Sequence, residues 1–171
     1  MSDSSSHVLS VDGLFAERDA ARRRDKDAEE QLQRRKEEEL TEFRNRLENF
    51  QLTDKVIQSG LYRIRRAFER GDTELMISSF PSSFCTDGGR AIGNAGAPPI
   101  NKLSKEELAA QADSPEWLAT LPAGVRKVFD YWKASLKPGG FSFSARIISY
   151  PGGMPGDVGI FFGWPKNSLE R

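Results

Sequence analysis

Residues 40–68 read LTEFRNRLENFQLTDKVIQSGLYRIRRAF. Leu40, Phe43, Leu47, Phe50, Ile57, Leu61, Ile64 and Phe68 fall at alternating steps of three and four, with only Asp54 interrupting the series. Eight of nine a/d positions are thus large and apolar, which is a heptad register held for four repeats, about the minimum length for a coiled coil. Two readings fit. The stripe is a seam for a partner helix or a second copy, with Asp54 as a polar a-site. Alternatively, Leu52-Thr53-Asp54 breaks the helix, Thr53 caps a new one, and the segment Asp54–Arg70 packs on its own domain. The two combine if Ile57 to Phe68 serves the core while Leu40 to Phe50 serves a partner.

Working outward, no proline occurs between Asp12 and Arg70, and Gly13 and Gly60 are the only glycines there. A single long helix over Asp12–Arg70 is the expectation, with Asp12 as N-cap, Glu17 and Asp19 favouring its positive end, and four arginines (63, 65, 66 and 70) crowding the other. Gly71 suits the C′ position. Gly60 weakens the helix by about 1 kcal/mol. Residues 17–39, ERDAARRRDKDAEEQLQRRKEEE, contain Leu32 as their only large apolar side chain. Pairs such as Asp19–Arg23 and Glu30–Arg34, four apart, each contribute about 0.2–0.5 kcal/mol to helicity but bury nothing. The expected organisation is a Ser-rich disordered tail (1–11), a charged helical arm (12–52) and a small domain (53–171).

Charge narrows the function classes. Lysine plus arginine equals aspartate plus glutamate, 25 against 25, and the balance holds on both sides of Arg70, 15 against 15 and 10 against 10. A nucleic-acid binder generally shows a basic surplus in at least one domain. The arginine clusters at 22–24 and 34–36 are closely interleaved with acids. One cysteine, Cys85, rules out an internal disulfide. The first ten residues lack the basic start and apolar centre of a signal peptide, and no apolar run approaches the ~18 residues that span a bilayer. The expectation is a cytoplasmic protein without membrane contact.

Beyond Gly71 the pattern changes to that of an α+β domain. Glu74–Phe80 reads as a strand closed by Pro81, with a short helical start at residues 81–83. Residues 90–99 read as irregular loop. Ser104 to Glu107 looks like a capping box opening a brief helix to Ala112, and residues 113–116 begin a turn carrying Trp117. The main helix, 122–137, places Leu121, Val125, Val128, Phe129, Trp132 and Leu136 on one face and stops at Pro138-Gly139-Gly140. A hairpin follows: in 141–149 the side chains of Phe141, Phe143, Ala145 and Ile147 share a face, and in 157–164 Val158, Ile160, Phe162 and Trp164 do. The order predicts a mixed sheet of about three strands, with the first strand parallel to a hairpin strand through a right-handed crossover and helices covering one face. Trp117, Trp132 and Trp164 are expected in the core.

Chemistry-bearing motifs are sparse. Cys85-Thr86-Asp87-Gly88-Gly89-Arg90 follows a strand, where α/β proteins place working loops, and the amides of Thr86 to Gly89 are candidate anion ligands. A phosphatase-like thiolate loop needs its arginine six residues after the cysteine; Arg90 lies five after it. The loop has no second cysteine and no histidine partner, since the only histidine is His7. The alternative to a ligand site is a buried Cys85 beside an ordinary turn. Gly93-Asn94-Ala95-Gly96, after a strand and a short helix, resembles the GxxG loop of KH-type RNA-binding modules, which implies a clamp on a nucleic-acid backbone. No lysine or arginine lies between those glycines and Lys102, and Ala97-Pro98-Pro99 stands where a helix should begin. The loop at 151–157, PGGMPGD, has no phosphate-binding lysine and reads as a stiff hairpin connection. Acidic residues of the domain show no metal-ligand spacing, so no metal or other cofactor is expected.

These features point first to a non-enzymatic interaction or adaptor protein. It would form a homodimer or bind a protein partner through Leu40, Phe43, Leu47, Phe50, Ile57 and Leu61. The alternative is an enzyme or small-ligand domain using the loop 85–90, and a minor one is nucleic-acid binding through the arm and the GNAG loop.

Overall fold

The structure is a computed structural model that describes residues 9–95 and 104–170. Its elements are α1 (Val11–Glu48), α2 (Asp54–Glu69), β1 (Glu74–Pro81), α3 (Arg90–Ala95), α4 (Lys105–Asp113), α5 (Ala123–Tyr131), β2 (Ser142–Ile147) and β3 (Asp157–Gly163). Short 3-10 turns lie between several of them. The fold is α+β, as the change of periodicity near Gly71 indicates. The chain divides into two compact units, residues 1–43 and 44–171.

The first unit is the larger part of α1. Its cap is Ser10, whose Oγ accepts from Gly13 N at 3.0 Å, rather than Asp12. None of its described residues is buried; Leu32 and Leu40 are 54% and 47% exposed. The expected ion pairs take other forms. Arg23 donates to the backbone carbonyl of Asp19, and Glu30 pairs with Lys26 at 3.8 Å.

In the second unit the helix is two pieces, not one rod over 12–70. α1 stops at Glu48, and Thr53 opens α2 with extended backbone (φ −81°, ψ 161°), its side chain accepting from Val56 N. The break has a tertiary cause as well as a local cap. Glu48 Oε2 accepts from Ala123 N at 3.0 Å, and the Phe50 carbonyl accepts from Lys127 Nζ at 3.1 Å, so the end of α1 is tied to the start of α5. Gly124 permits that approach: a Cβ there would collide with the Leu47 carbonyl oxygen and with Phe50 Cβ. At its other end α2 closes in a Schellman motif. Asp72 N donates to Ala67 O and Gly71 N to Phe68 O, with Gly71 left-handed at φ 87°.

The sheet order is β1-β3-β2, and both neighbouring pairs are antiparallel. The predicted mixed sheet is therefore corrected. β1 and β2 run in the same direction, but β3 lies between them. The physical reason lies in β3 itself, DVGIFFG, where residues 158–162 are all buried. Apolar on both faces, it belongs in the centre, while the serine-bearing β1 and β2 tolerate an edge. The rows expected from the hairpin line up: Phe143 faces Phe162, Ala145 faces Ile160 and Ile147 faces Val158. Against this face pack Ile64 of α2 and Phe129, Trp132 and Leu136 of α5 and the π-helical turn that extends it (Trp132–Leu136). On the opposite face, Arg146 stacks 3.8 Å from the Phe161 ring and forks onto Glu74 at 3.0 and 2.8 Å.

Other local expectations meet the structure unevenly. The capping box at Ser104 forms in full. Trp117 and Trp132 are buried, while Trp164 is half-buried and donates to the Asp72 carbonyl at 2.8 Å. Arg90–Ala95, expected as loop, is the helix α3, because Asp87 ties down its first amides. The hairpin connection is fixed to the rest of the domain: Ser82 donates from N to Gly156 O and from Oγ to Pro155 O.

Candidate functional site

The loop after β1 is built by its own side chains. The Asp87 carboxylate accepts from Gly89 N at 2.9 Å and from Ala91 N at 2.8 Å. Thr86 N donates to the Thr120 carbonyl, and Gly88 N to that of Cys85. Three of the four amides considered as anion ligands, those of Thr86, Gly88 and Gly89, are therefore engaged within the protein. Cys85 is buried, and loss of hydration, helped by the nearby Asp87 charge, pushes its thiol from 9.0 up to about 11 despite a hydrogen bond with Thr120. A thiol held that high is almost wholly protonated at neutral pH and a poor nucleophile. Arg90 is exposed and makes no ion pair among the described residues. Of the GxxG tetrapeptide, Gly93, Asn94 and Ala95 end α3, and Gly96 lies outside the described residues, as do residues 97–103. Among the described residues no group of acids, histidine or cysteine is placed to hold a metal ion, and no helix is long and apolar enough to cross a membrane.

The stripe residues lead elsewhere. Leu47, Phe50, Ile57 and Leu61 line one apolar recess of about 420 Å³. Its walls come from the end of α1, the inward side of α2, and Val125, Val128 and Tyr131 of α5. Its floor reaches Ile160 and Phe162 on the central strand. Among its lining side chains only four are markedly polar, Ser59, Ser78, Lys55 and Arg63, and both charged ones are cationic. Arg63 spends one donor on the Met76 carbonyl at 3.1 Å. Lys55 has no ion pair or side-chain hydrogen bond among the described residues.

Of the six residues expected at a partner interface, four thus converge on this recess. Leu40 and Phe43 belong to the first unit, where Leu40 is exposed and Phe43 half-buried. Sequence reasoning missed the α5 wall, because helix 122–137 gives no sign of which apolar side chains stop short of full burial. It also missed the role of Gly60, although the signal was present. Gly60 sits within the apolar stripe of a helix, its φ is not positive, and a Cβ built on it meets nothing within 4 Å. No turn and no close packing requires glycine there. Gly60 lines the recess, and a Cβ there would have open space around it.

A second concavity, about 260 Å³, lies beside Phe68, Phe141 and Trp164 at the end of the sheet. Its rings are in mutual contact, with Trp164 6.4 Å from Phe68 and 6.0 Å from Phe141, and Trp164's indole N–H is already used.

Compared with protein-family models, with curated proteins and with solved structures, the chain matches none of them.

Proposed function

We propose that this chain is a non-enzymatic interaction protein that works by holding an apolar group of a partner in the recess between α2, α5 and the sheet. The observation that carries this reading is the convergence of Leu47, Phe50, Ile57 and Leu61 on an unfilled apolar cavity that Gly60 also lines. Ligand sites are typically concave, mostly apolar and of ~300–1,000 Å³, with a few polar groups at the edge. The engaged amides and protonated thiol of the loop 85–90 support binding over turnover. The test is titration with an uncharged, environment-sensitive dye, comparing the wild type with Gly60→Leu. Saturable binding that Gly60→Leu abolishes is expected. Equal binding by both proteins sinks the reading.

A second reading rests on the exposed Leu40 and on Phe43, one helical turn along α1. With Leu47 and Phe50 engaged in the domain, fewer than two heptads remain for a seam, well short of the ~3–4 that sustain a coiled coil. In this reading two copies pair through that short patch. Light scattering on the wild type and Leu40→Asp decides it: a two-chain mass that falls to one chain supports pairing, and a one-chain mass at tens of micromolar ends it.

A further inference from the structure

We infer that the occupant of the recess is a free amphiphilic monocarboxylate with an unbranched alkyl tail, bound tail-inward with its carboxylate at Lys55 or Arg63; this rests on the reading of the recess as a binding site. Three observations combine. The recess is lined by half-buried apolar side chains, Leu47, Phe50, Ile57, Leu61 and Val128 among them, which present hydrocarbon to whatever enters. A recess of about 420 Å³ takes a slender chain, whereas a helix, about 10–12 Å across with its side chains, would fill it within a single turn. The lining offers the tail no hydrogen-bonding carboxylate or amide side chain, so an unsubstituted hydrocarbon loses nothing on entry, while a polar tail would leave its own groups unsatisfied. The charged lining is of one sign. Lys55 has no partner among the described residues, Arg63 retains guanidinium N–H groups beyond the one given to Met76, and no aspartate or glutamate among those residues lines the cavity. Lys55 and Arg63 stand eight residues apart on α2, about 12 Å along its axis, and each offers a carboxylate a charge-assisted hydrogen bond, the strong kind.

Gly60 ties these observations to occupancy. A glycine inside a helix costs about 0.5–1 kcal/mol against alanine, and here no contact or backbone conformation requires it. A ligand that fills the space beside it accounts for that cost.

The experiment uses the full chain and three probes with the same tail below their micelle thresholds: dodecanoate, dodecanol and dodecyltrimethylammonium. Binding is measured by calorimetry, and the site is located by the methyl resonances of Ile57, Val125 and Ile160. The expectation is one dodecanoate per chain with shifts confined to those methyls. Binding of dodecanol should be about tenfold weaker and that of the ammonium weaker still, as loss of a charge-assisted contact implies. Lys55→Glu should weaken dodecanoate about tenfold and leave dodecanol unchanged. Gly60→Leu should melt higher than the wild type and bind none of the three, which separates blockage from unfolding. If that variant fails to fold, Gly60→Ala with a shorter and a longer carboxylate reads the same space. Equal binding of all three probes overturns the carboxylate assignment and leaves the apolar recess standing. No binding of any probe, or shifts outside the recess, overturns both.

Discussion

Cys85 and Asp87 stand two residues apart and illustrate how one local device decides what a loop can do. The Asp87 carboxylate, facing the amides of Gly89 and Ala91, starts α3, and its charge together with burial keeps the Cys85 thiol protonated. We expect Cys85 to resist a disulfide-exchange reagent at pH 8 in the native protein and to react at once in denaturant. Fast native labelling would contradict the burial. Stability should follow the same group. In the unfolded chain the thiol ionises near 9, and in the native protein only near 11, so between these values the native state binds more protons and is progressively disfavoured. The loss approaches roughly 2–3 kcal/mol by pH 11, at about 1.4 kcal/mol per unit. Denaturant midpoints should therefore fall with pH above 9, and Cys85→Ser should flatten that fall. Glu74 acts in the opposite direction. Its hydrogen bonds with Arg146 hold its carboxyl below 4.5, so that contribution is present above pH 4.5 and lost as pH falls through the lowered value. Both partners are about half exposed, which limits the pair to ~0.2–1 kcal/mol. The cysteine's inertness is half legible in sequence, from the missing histidine and the misplaced arginine. The use of the amides is not, because it depends on where Thr120 and Asp87 come to lie.

At the scale of elements, the junction of α1, α2 and α5 turns a run of heptads into the lining of a recess. Thr53 is readable as a cap because threonine before an acidic residue, in a stripe otherwise unbroken, marks a restart. What sequence could not supply is Glu48 reaching 75 residues along the chain to the first amide of α5. A side chain from a distant element caps that helix, since Pro122 at its N-cap has no side-chain acceptor. Glu48→Ala should therefore destabilise the domain as loss of an N-cap does, by about 0.5–2 kcal/mol. Thr53→Ala should cost about 1 kcal/mol on its own account. The two changes act on different helices joined by one short linker, so the double variant should depart from additivity by more than a few tenths of a kcal/mol. Strict additivity in denaturant titrations would mean that α1 and α5 are not mechanically joined through residues 48–53. Gly124→Ala gives a harsher test of the same junction, because its methyl has no room against the Leu47 carbonyl. Overpacking of this kind typically costs ~1–3 kcal/mol. The strand order escapes periodicity for a related reason. Alternation assigns each strand its faces, but which strand sits in the middle follows from burial on both faces, and only Phe161 between Gly159 and Gly163 hints at that.

At the scale of the molecule, the two compact units differ in what holds them folded. Residues 44–171 bury a continuous core around Ile64, Phe129, Trp132, Leu136 and Phe162. In α1 up to Phe43, no side chain is buried and the ion pairs are exposed ones such as Lys26–Glu30. Such pairs add only a few tenths of a kcal/mol each, and a helix without a buried face is marginal in water. The charge density of residues 17–39 makes this part of the fold legible in the sequence, because nothing there can form a core. Local opening should therefore cost far less in the first unit than in the second. The arginines and lysines at 22–26 and 34–36 are all exposed on that helix, which offers trypsin its targets. Brief digestion should cut there first, while the basic residues of α2 and α5 survive until the core opens. Digestion also separates the two functional readings. If α1 pairs with a second copy near Leu40, cleavage at 34–36 should slow as protein concentration rises through the micromolar range, because mass action populates the protected dimer. Cleavage at 22–26, a region without large apolar side chains, should respond less. If the recess alone does the work, cleavage in α1 should not depend on concentration. Dodecanoate should instead protect α2, whose Lys55 and Arg63 line the recess. Concentration-dependent protection at 34–36 with no effect of dodecanoate on α2 would transfer the function from the recess to the helix.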